Sequence, residues 1–199
     1  MAATLLAVPA ADAQPAVAAG LRGADLLGAL RAGGLILSFR HADTDHSQKD
    51  TRMGSVEDCA SQRNLTDRGR DHARAIGEAI RALGIPIGVV LASPLCRTVE
   101  TATLAFGAAE RSNAAREAGP ALPGDADRFA ALRGLLSTVP ASGTNTVIVG
   151  HAYPFYSLVG GQYLDEGQGA VVRPGGVAIQ VLARVGLKEW RELAALPRY

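Results

Sequence analysis

Hydrophobic positions along the chain follow two different rhythms. Three short runs are almost unbroken: Leu35-Ile36-Leu37-Ser38-Phe39, Val89-Val90-Leu91-Ala92 and Thr146-Val147-Ile148-Val149-Gly150. Branched residues without polar alternation predict strands buried on both faces of a parallel sheet. Between them the apolar residues recur at helical spacing. From Asp67 to Leu83, Ala73, Ile76, Ile80 and Leu83 share one face, while Arg68, Arg70, Arg74, Glu78 and Arg81 share the solvated one. Thr66 caps this helix and Gly84 ends it. A short helix is predicted over Asp25–Ala32, stopped by Gly33-Gly34. Another follows the second strand to about Phe106, with Ser93 as its cap and Pro94 at the first helical position. Further helices are expected over Ala126–Thr138 and Pro154–Val159. Val171-Val172-Arg173 and Val177–Leu182, joined by Pro174-Gly175-Gly176, predict a hairpin at the sheet edge. Asp43–Asp58 is polar and without period, and Gly107–Asp125 is a loop with one short strand. Strands alternating with helices define an α/β chain, and no repeat or linker divides residues 21–199.

Composition adds little that is unusual. With 199 residues, 48% of them hydrophobic and 20% charged, the chain suits one domain with a sizeable core. A net charge of +1 offers no electrostatic basis for nucleic-acid binding. No stretch approaches the ~18 apolar residues of a bilayer span. Residues 1–20 stand apart. Met1–Val8 is small and apolar, and Ala11-Asp12-Ala13 has the form of a signal-peptidase site, but the basic leader is missing. The segment reads as a truncated signal peptide, or else as a disordered tail. The first places the protein in the periplasm or outside the cell, the second in the cytoplasm. The two cysteines, Cys59 and Cys96, would be buried thiols in a cytoplasmic protein and a disulfide in an exported one. Such a bridge would pin the segment carrying Arg97.

Chemistry enters at the strand ends. The first run leads into Arg40-His41, the second into Ser93-Pro94-Leu95-Cys96-Arg97, and the third into His151. Open α/β sheets bind ligands beyond the carboxyl ends of their strands, so Arg40, His41, Arg97 and His151 should converge. Arg97 falls in a first helical turn, where free N–H groups favour an anion, and its planar fork matches phosphate oxygens. A neutral histidine can attack phosphorus and hold the phosphoryl group, while guanidinium groups bracket the equatorial oxygens. His46 and His72 lie away from the strand ends and read as ordinary surface or hydrogen-bonded residues. No histidine or cysteine pair has metal-ligand spacing, so neither a metal nor another cofactor is expected.

These motifs resemble the histidine phosphatase (phosphoglycerate-mutase-like) superfamily. Arg40-His41-Ala42-Asp43-Thr44 is similar to its Arg-His-Gly-x-Thr signature, and Leu65-Thr66-Asp67-Arg68-Gly69 to its Leu-Thr-x-x-Gly helix start. Ser93–Arg97 with Glu100-Thr101-Ala102 resembles its arginine segment, and Val149-Gly150-His151-Ala152 stands where its second histidine lies. The likeness runs from about Leu26 to Leu196. It implies a three-layer α/β/α sandwich around a mainly parallel sheet, with His41 as phosphorylated nucleophile and Arg40, Arg97 and His151 holding phosphate. Asp58–Leu65 and the Ser-Pro-x-Cys-Arg arrangement also resemble a small exported bacterial subgroup related to lipopolysaccharide core heptose phosphatases. The chain departs from the pattern at Ala42, at Ser47 where mutases carry asparagine, and at Ala152 where acid phosphatases carry aspartate. His151 follows His41 by only 110 positions, which leaves little room for a large cap. A compact phosphatase acting on a small phosphate ester is therefore expected. A phosphomutase and a non-catalytic phosphate-ester binder are the alternatives. Glu117, Asp125, Asp127 and Glu166 are the candidates for the proton donor, and oligomeric state is not legible.

Overall fold

The computed structural model describes residues 20–50, 53–116, 129–175 and 178–197. The signal-peptide or tail reading of residues 1–20, apart from Gly20, and the candidates Glu117, Asp125 and Asp127 lie outside them. Along the chain run α1 (Gly23–Ala32), β1 (Ile36–Arg40), a 3-10 turn (Cys59–Ser61), α2 (Asp67–Ala82), β2 (Ile87–Ala92) and α3 (Cys96–Phe106). Then follow β3 (Glu110–Arg111), a second 3-10 turn (Asn113–Ala115), α4 (Ala130–Ser137), β4 (Asn145–Gly150) and α5 (Ala152–Val159). The hairpin β5 (Gly169–Arg173) and β6 (Gln180–Val185) precedes α6 (Leu187–Ala194).

The strands form one six-stranded sheet in the order β3-β2-β4-β1-β5-β6. The first four are mutually parallel, while β5 and β6 run antiparallel at one edge. Alternation along β1 and β4 divides the core into two layers. Leu37, Phe39, Val147 and Val149 face α1, α2, α3 and α6 through Leu30, Ile76, Ile80, Ala102 and Trp190. Ile36 and Ile148 face the opposite way, onto Leu132, Leu136 and Phe155 of α4 and α5. The result is the three-layer α/β sandwich.

Register then fixes the site. Arg40 pairs with Gly150, and Ala92 with Val149, so His41, His151 and Ser93 all emerge at the same end of the sheet. Two glycines permit close approach around it. A Cβ at Gly69 would overlap the Asp43 carbonyl oxygen, and one at Gly77 would overlap that of Ala105. The first brings the start of α2 against the loop after His41; the second packs α2 on α3.

Several expectations need correcting. The β2 strand is not buried on both faces, since Val89 is half exposed. It lies one strand from the edge, and its outer neighbour β3 has two residues. The helix after β2 starts at Cys96 with Leu95 as N-cap, not at Pro94 with Ser93 as cap. The second strand of the hairpin runs from Gln180 to Val185, later than the expected Val177–Leu182. Helix α6 was not anticipated; it buries Trp190 and Leu193, and Glu189 accepts the Gly186 amide N–H at 2.8 Å. Thr66 caps α2 as its sequence implies, accepting from the Gly69 N–H at 3.0 Å.

Candidate active site

All four strand-end residues meet at the carboxyl edge of β1, β2 and β4. The rings of His41 and His151 stand edge to face with centroids 5.7 Å apart. Arg97 is close enough to both rings to disfavour their protonation, as is Arg40. His41 is buried, and its backbone is fixed on both sides: its N–H donates to Gly150 O at 3.1 Å and its carbonyl accepts from Gly167 N–H at 2.9 Å. The next residue, Ala42, donates its N–H to Thr101 Oγ1 of α3 at 3.0 Å.

Among the described residues, a backbone carbonyl hydrogen-bonds Nδ1 of the His41 ring, and Glu166 Oε1 lies 3.9 Å from the same nitrogen. Nδ1 lies 2.9 Å from the Ala42 carbonyl oxygen, which can only accept. Nδ1 therefore carries the proton, and Nε2 keeps its lone pair. Burial is the largest influence on this imidazole and lowers its pKa to about 3. The Ala42 carbonyl and Glu166 pull it upward, and Arg97 and Arg40 push it down. His151 is also held well below the usual histidine range, by burial first and then by Arg97, His41, Arg63 and Arg40. Its Nε2 lies 2.9 Å from Ser93 Oγ. Both rings are neutral at physiological pH.

That neutrality makes the fold acid-sensitive. An unfolded chain protonates these imidazoles near pH 6.5, whereas folded His41 waits until about pH 3. Between those limits the unfolded state binds more protons, so stability falls as pH falls. From pH 6.5 to 4.5 His41 alone should remove about 2 kcal/mol, with each full pH unit worth ~1.4 kcal/mol. Urea midpoints across that interval should fall less steeply for His41→Asn than for the wild type.

Each arginine is partnered by a carboxylate. Arg40 donates to Leu164 O at 2.9 Å and to Glu166 Oε1 at 3.4 Å. Glu166 also receives the Thr44 hydroxyl at 2.6 Å and the Thr44 N–H at 3.2 Å, and lies 3.5 Å from His46 Nε2. Partial burial of Glu166 would raise its pKa, but the two Thr44 hydrogen bonds, with His41 and Arg40, outweigh it and leave the pKa lowered. Arg97, buried in the first turn of α3, contacts Asp50 through Nη1, at 3.2 Å from Oδ1 and 3.1 Å from Oδ2. His72 pairs with Asp43 Oδ2 at 2.7 Å, fastening the loop after His41 to α2.

Sequence reasoning gave no reason to choose Asp50 or Arg63 as neighbours of this site, and it quoted Ser93 and Thr101 within a motif without their partners His151 and Ala42. Thr44 was quoted within a motif, without its partner Glu166. Cys59 and Cys96 form a disulfide beside Arg97, with Cα atoms 5.6 Å apart. Among the described residues, no group of three or more His, Cys, Asp or Glu is arranged to hold a metal ion. No helix among them is long and apolar enough to cross a membrane.

Residues 36–118 match the family model described as histidine phosphatase superfamily (branch 1). Over that stretch, less than half of its length, the chain is similar to the histidine phosphatase superfamily. The matched stretch includes Arg40, His41 and Arg97, while His151 lies beyond it. Solved structures share the fold at low identity. The protein histidine phosphatase SixA, complexed with tungstate, is 18% identical with a TM-score of 0.51, covering 77% of this chain and 97% of its own. A SixA-type phosphohistidine phosphatase from Agrobacterium tumefaciens is 15% identical at 0.53, covering 77% and 98%. A phosphoserine phosphatase from Entamoeba histolytica, in complex with phosphoserine, is 14% identical at 0.52, covering 78% and 98%. No curated protein sequence gives a significant match.

Proposed function

We propose that this chain is a metal-independent phosphatase of the histidine phosphatase type, which hydrolyses a small phosphomonoester or phosphoramidate through a phosphohistidine on His41. The observation that carries the reading is the Ala42 carbonyl on Nδ1. It leaves Nε2 unprotonated in a ring that burial keeps neutral. Nε2 forms a bond to phosphorus as the bond to the leaving oxygen or nitrogen breaks. Water then attacks phosphorus, the N–P bond breaks, and phosphate departs. Arg40, Arg97 and His151 hold the phosphoryl oxygens, donors of a kind worth ~10²–10³ each in other enzymes.

Glu166 does not suit the role of proton donor. Its carboxyl is held ionised by the Thr44 hydrogen bonds despite partial burial, so we assign it to orienting Arg40 and Thr44. Glu117, Asp125 and Asp127 remain the candidates for protonating the leaving group. The Cys59–Cys96 bridge favours an oxidising compartment, the periplasm or the exterior.

The test is incubation with p-nitrophenyl phosphate in excess chelator, followed by alkaline quench and peptide mapping. Phosphate release and an acid-labile, base-stable phosphoryl group on the His41 peptide are expected. Transfer to a sugar hydroxyl in preference to water would establish a mutase instead. Tight ester binding with no turnover would establish a binding protein.

A further inference from the structure

A third arginine stands beside the site without a carboxylate of its own. Arg40 faces Glu166 and Arg97 faces Asp50, while both imidazoles are neutral, so these groups cancel. Arg63 leaves one positive charge over. Among the described residues its guanidinium has no hydrogen bond or ion pair, and its Nε is buried away from solvent. The backbone around it, by contrast, is fastened closely. Arg63 N–H donates to Asp50 Oδ1 at 2.8 Å, the same oxygen that Arg97 Nη1 contacts at 3.2 Å. Gln62 before it links Cys96 N–H to the Val56 carbonyl. Asn64 after it donates Nδ2 to Cys59 O at 2.7 Å, and its carbonyl accepts from Asp45 N–H at 3.0 Å. A partly buried cation held in place with no partner is costly, and a ligand's charge is what would offset it.

We infer that Arg63 is a further catalytic residue: its unpartnered guanidinium, anchored beside Arg97 through Asp50, meets the negative charge that builds on the leaving oxygen. The inference rests on the proposed phosphohistidine route. In-line displacement puts the leaving oxygen across phosphorus from His41 Nε2. Arg63 belongs to that half of the site. It acts on His151 more strongly than Arg40 does, whereas the charges that dominate at His41 are Arg97, Arg40 and Glu166. As the phosphoryl group moves to Nε2, the electron pair of the P–O bond departs with the oxygen. Arg40 and Arg97 hold the equatorial oxygens, and each already shares its charge with a carboxylate. Arg63 answers the growing charge undivided. It stays protonated throughout, so the proton that finally reaches the leaving oxygen comes from a carboxyl group or from water. A preset cation of this kind acts chiefly in the transition state.

The experiment compares kcat/KM for 4-nitrophenyl, phenyl and benzyl phosphate, whose leaving oxygens are successively more basic and so more dependent on stabilisation. This parameter covers every step through departure of the leaving group, whichever later step limits kcat. In Arg63→Gln the 4-nitrophenyl ester should lose only a few-fold, the benzyl ester about 10²–10³-fold, and the phenyl ester an intermediate factor. Arg63→Lys keeps the charge and should recover most of the benzyl-ester loss. The same factor lost for all three esters is what disturbance of Asp50 or Arg97 would give, and it would overturn the assignment. So would no loss at all, or a lysine variant no better than the glutamine one. Both substitutions spare the backbone N–H on Asp50, and urea midpoints should match the wild type. A variant that fails to fold would show the guanidinium to be structural and would equally overturn the inference. Uniform losses alongside a trapped phosphoenzyme on His41 would remove the role of Arg63 alone. A wild type that hydrolyses none of the three esters would remove the phosphatase reading with it.

Discussion

Replacing His41 with asparagine should reduce kcat/KM by about 10⁴-fold or more, the scale seen when a covalent nucleophile is removed. Binding of phenylphosphonate should stay within tenfold of the wild type. The split follows from what the ring contacts. Its Nδ1 is committed to the Ala42 carbonyl and makes no claim on the ligand. On the proposed mechanism the binding charge comes from Arg40 and Arg97, which keep their own anchors: Leu164 O for Arg40, and the first turn of α3 for Arg97. Loss of the imidazole therefore removes the attacking atom and leaves the cradle. Phosphoenzyme should vanish together with turnover. By contrast, His72→Asn disturbs the Asp43 contact without touching the His41 ring, and should lower kcat/KM far less. Retention of a tenth or more of wild-type activity in His41→Asn would sink the nucleophile assignment.

Much of the site was legible because its residues sit where strand patterns end. Unbroken apolar runs locate β1 and β4, and parallel pairing brings their carboxyl ends level, so Arg40, His41 and His151 follow from order alone. Helix α2 was equally plain, with its cap, stop and face all local. What escaped was non-local or ambiguous. Glu166 is 122 residues from Thr44 in sequence, and no periodicity marks their hydrogen bonds. Asp50 lies in a polar stretch where one carboxylate looks like the next, and only the fold places it on Arg97. Ser93-Pro94 carries a helix-start signal, yet the Ser93 hydroxyl serves His151 and the helix waits for Leu95. A rule about helix caps thus pointed at a residue taken up by the site. The α6 helix has too few residues for its three-spaced Leu187, Trp190 and Leu193 to stand out. Burial along β2 depends on a neighbour of two residues, which the run itself cannot reveal.

Removing the bridge, by Cys59→Ser with Cys96→Ser, should cost about 3–4 kcal/mol in unfolding free energy on the chain-entropy account. The cysteines are 37 residues apart in sequence, a separation for which cross-linking restricts the unfolded chain substantially. The bridge does not act alone. Cys96 N–H donates to Gln62 Oε1 at 2.9 Å, and Gln62 Nε2 donates to Val56 O at 2.9 Å. The buried Gln62 side chain thus ties the strip around residues 56–62 to the first turn of α3 even without sulfur. Arg97 should accordingly keep its place, held by the helix that begins at Cys96. The expected pattern is a lowered urea midpoint with a raised m-value, because the uncrosslinked denatured chain exposes more surface, and kcat at saturating substrate within a few-fold of the wild type. Cys59 is exposed, so a mild reductant should reproduce the loss in the wild-type protein. If reduction leaves the midpoint in place, the bridge is not holding the fold. If it abolishes kcat at a pH and temperature where the fold persists, Arg97 depends on the sulfur bridge rather than on the helix and Gln62.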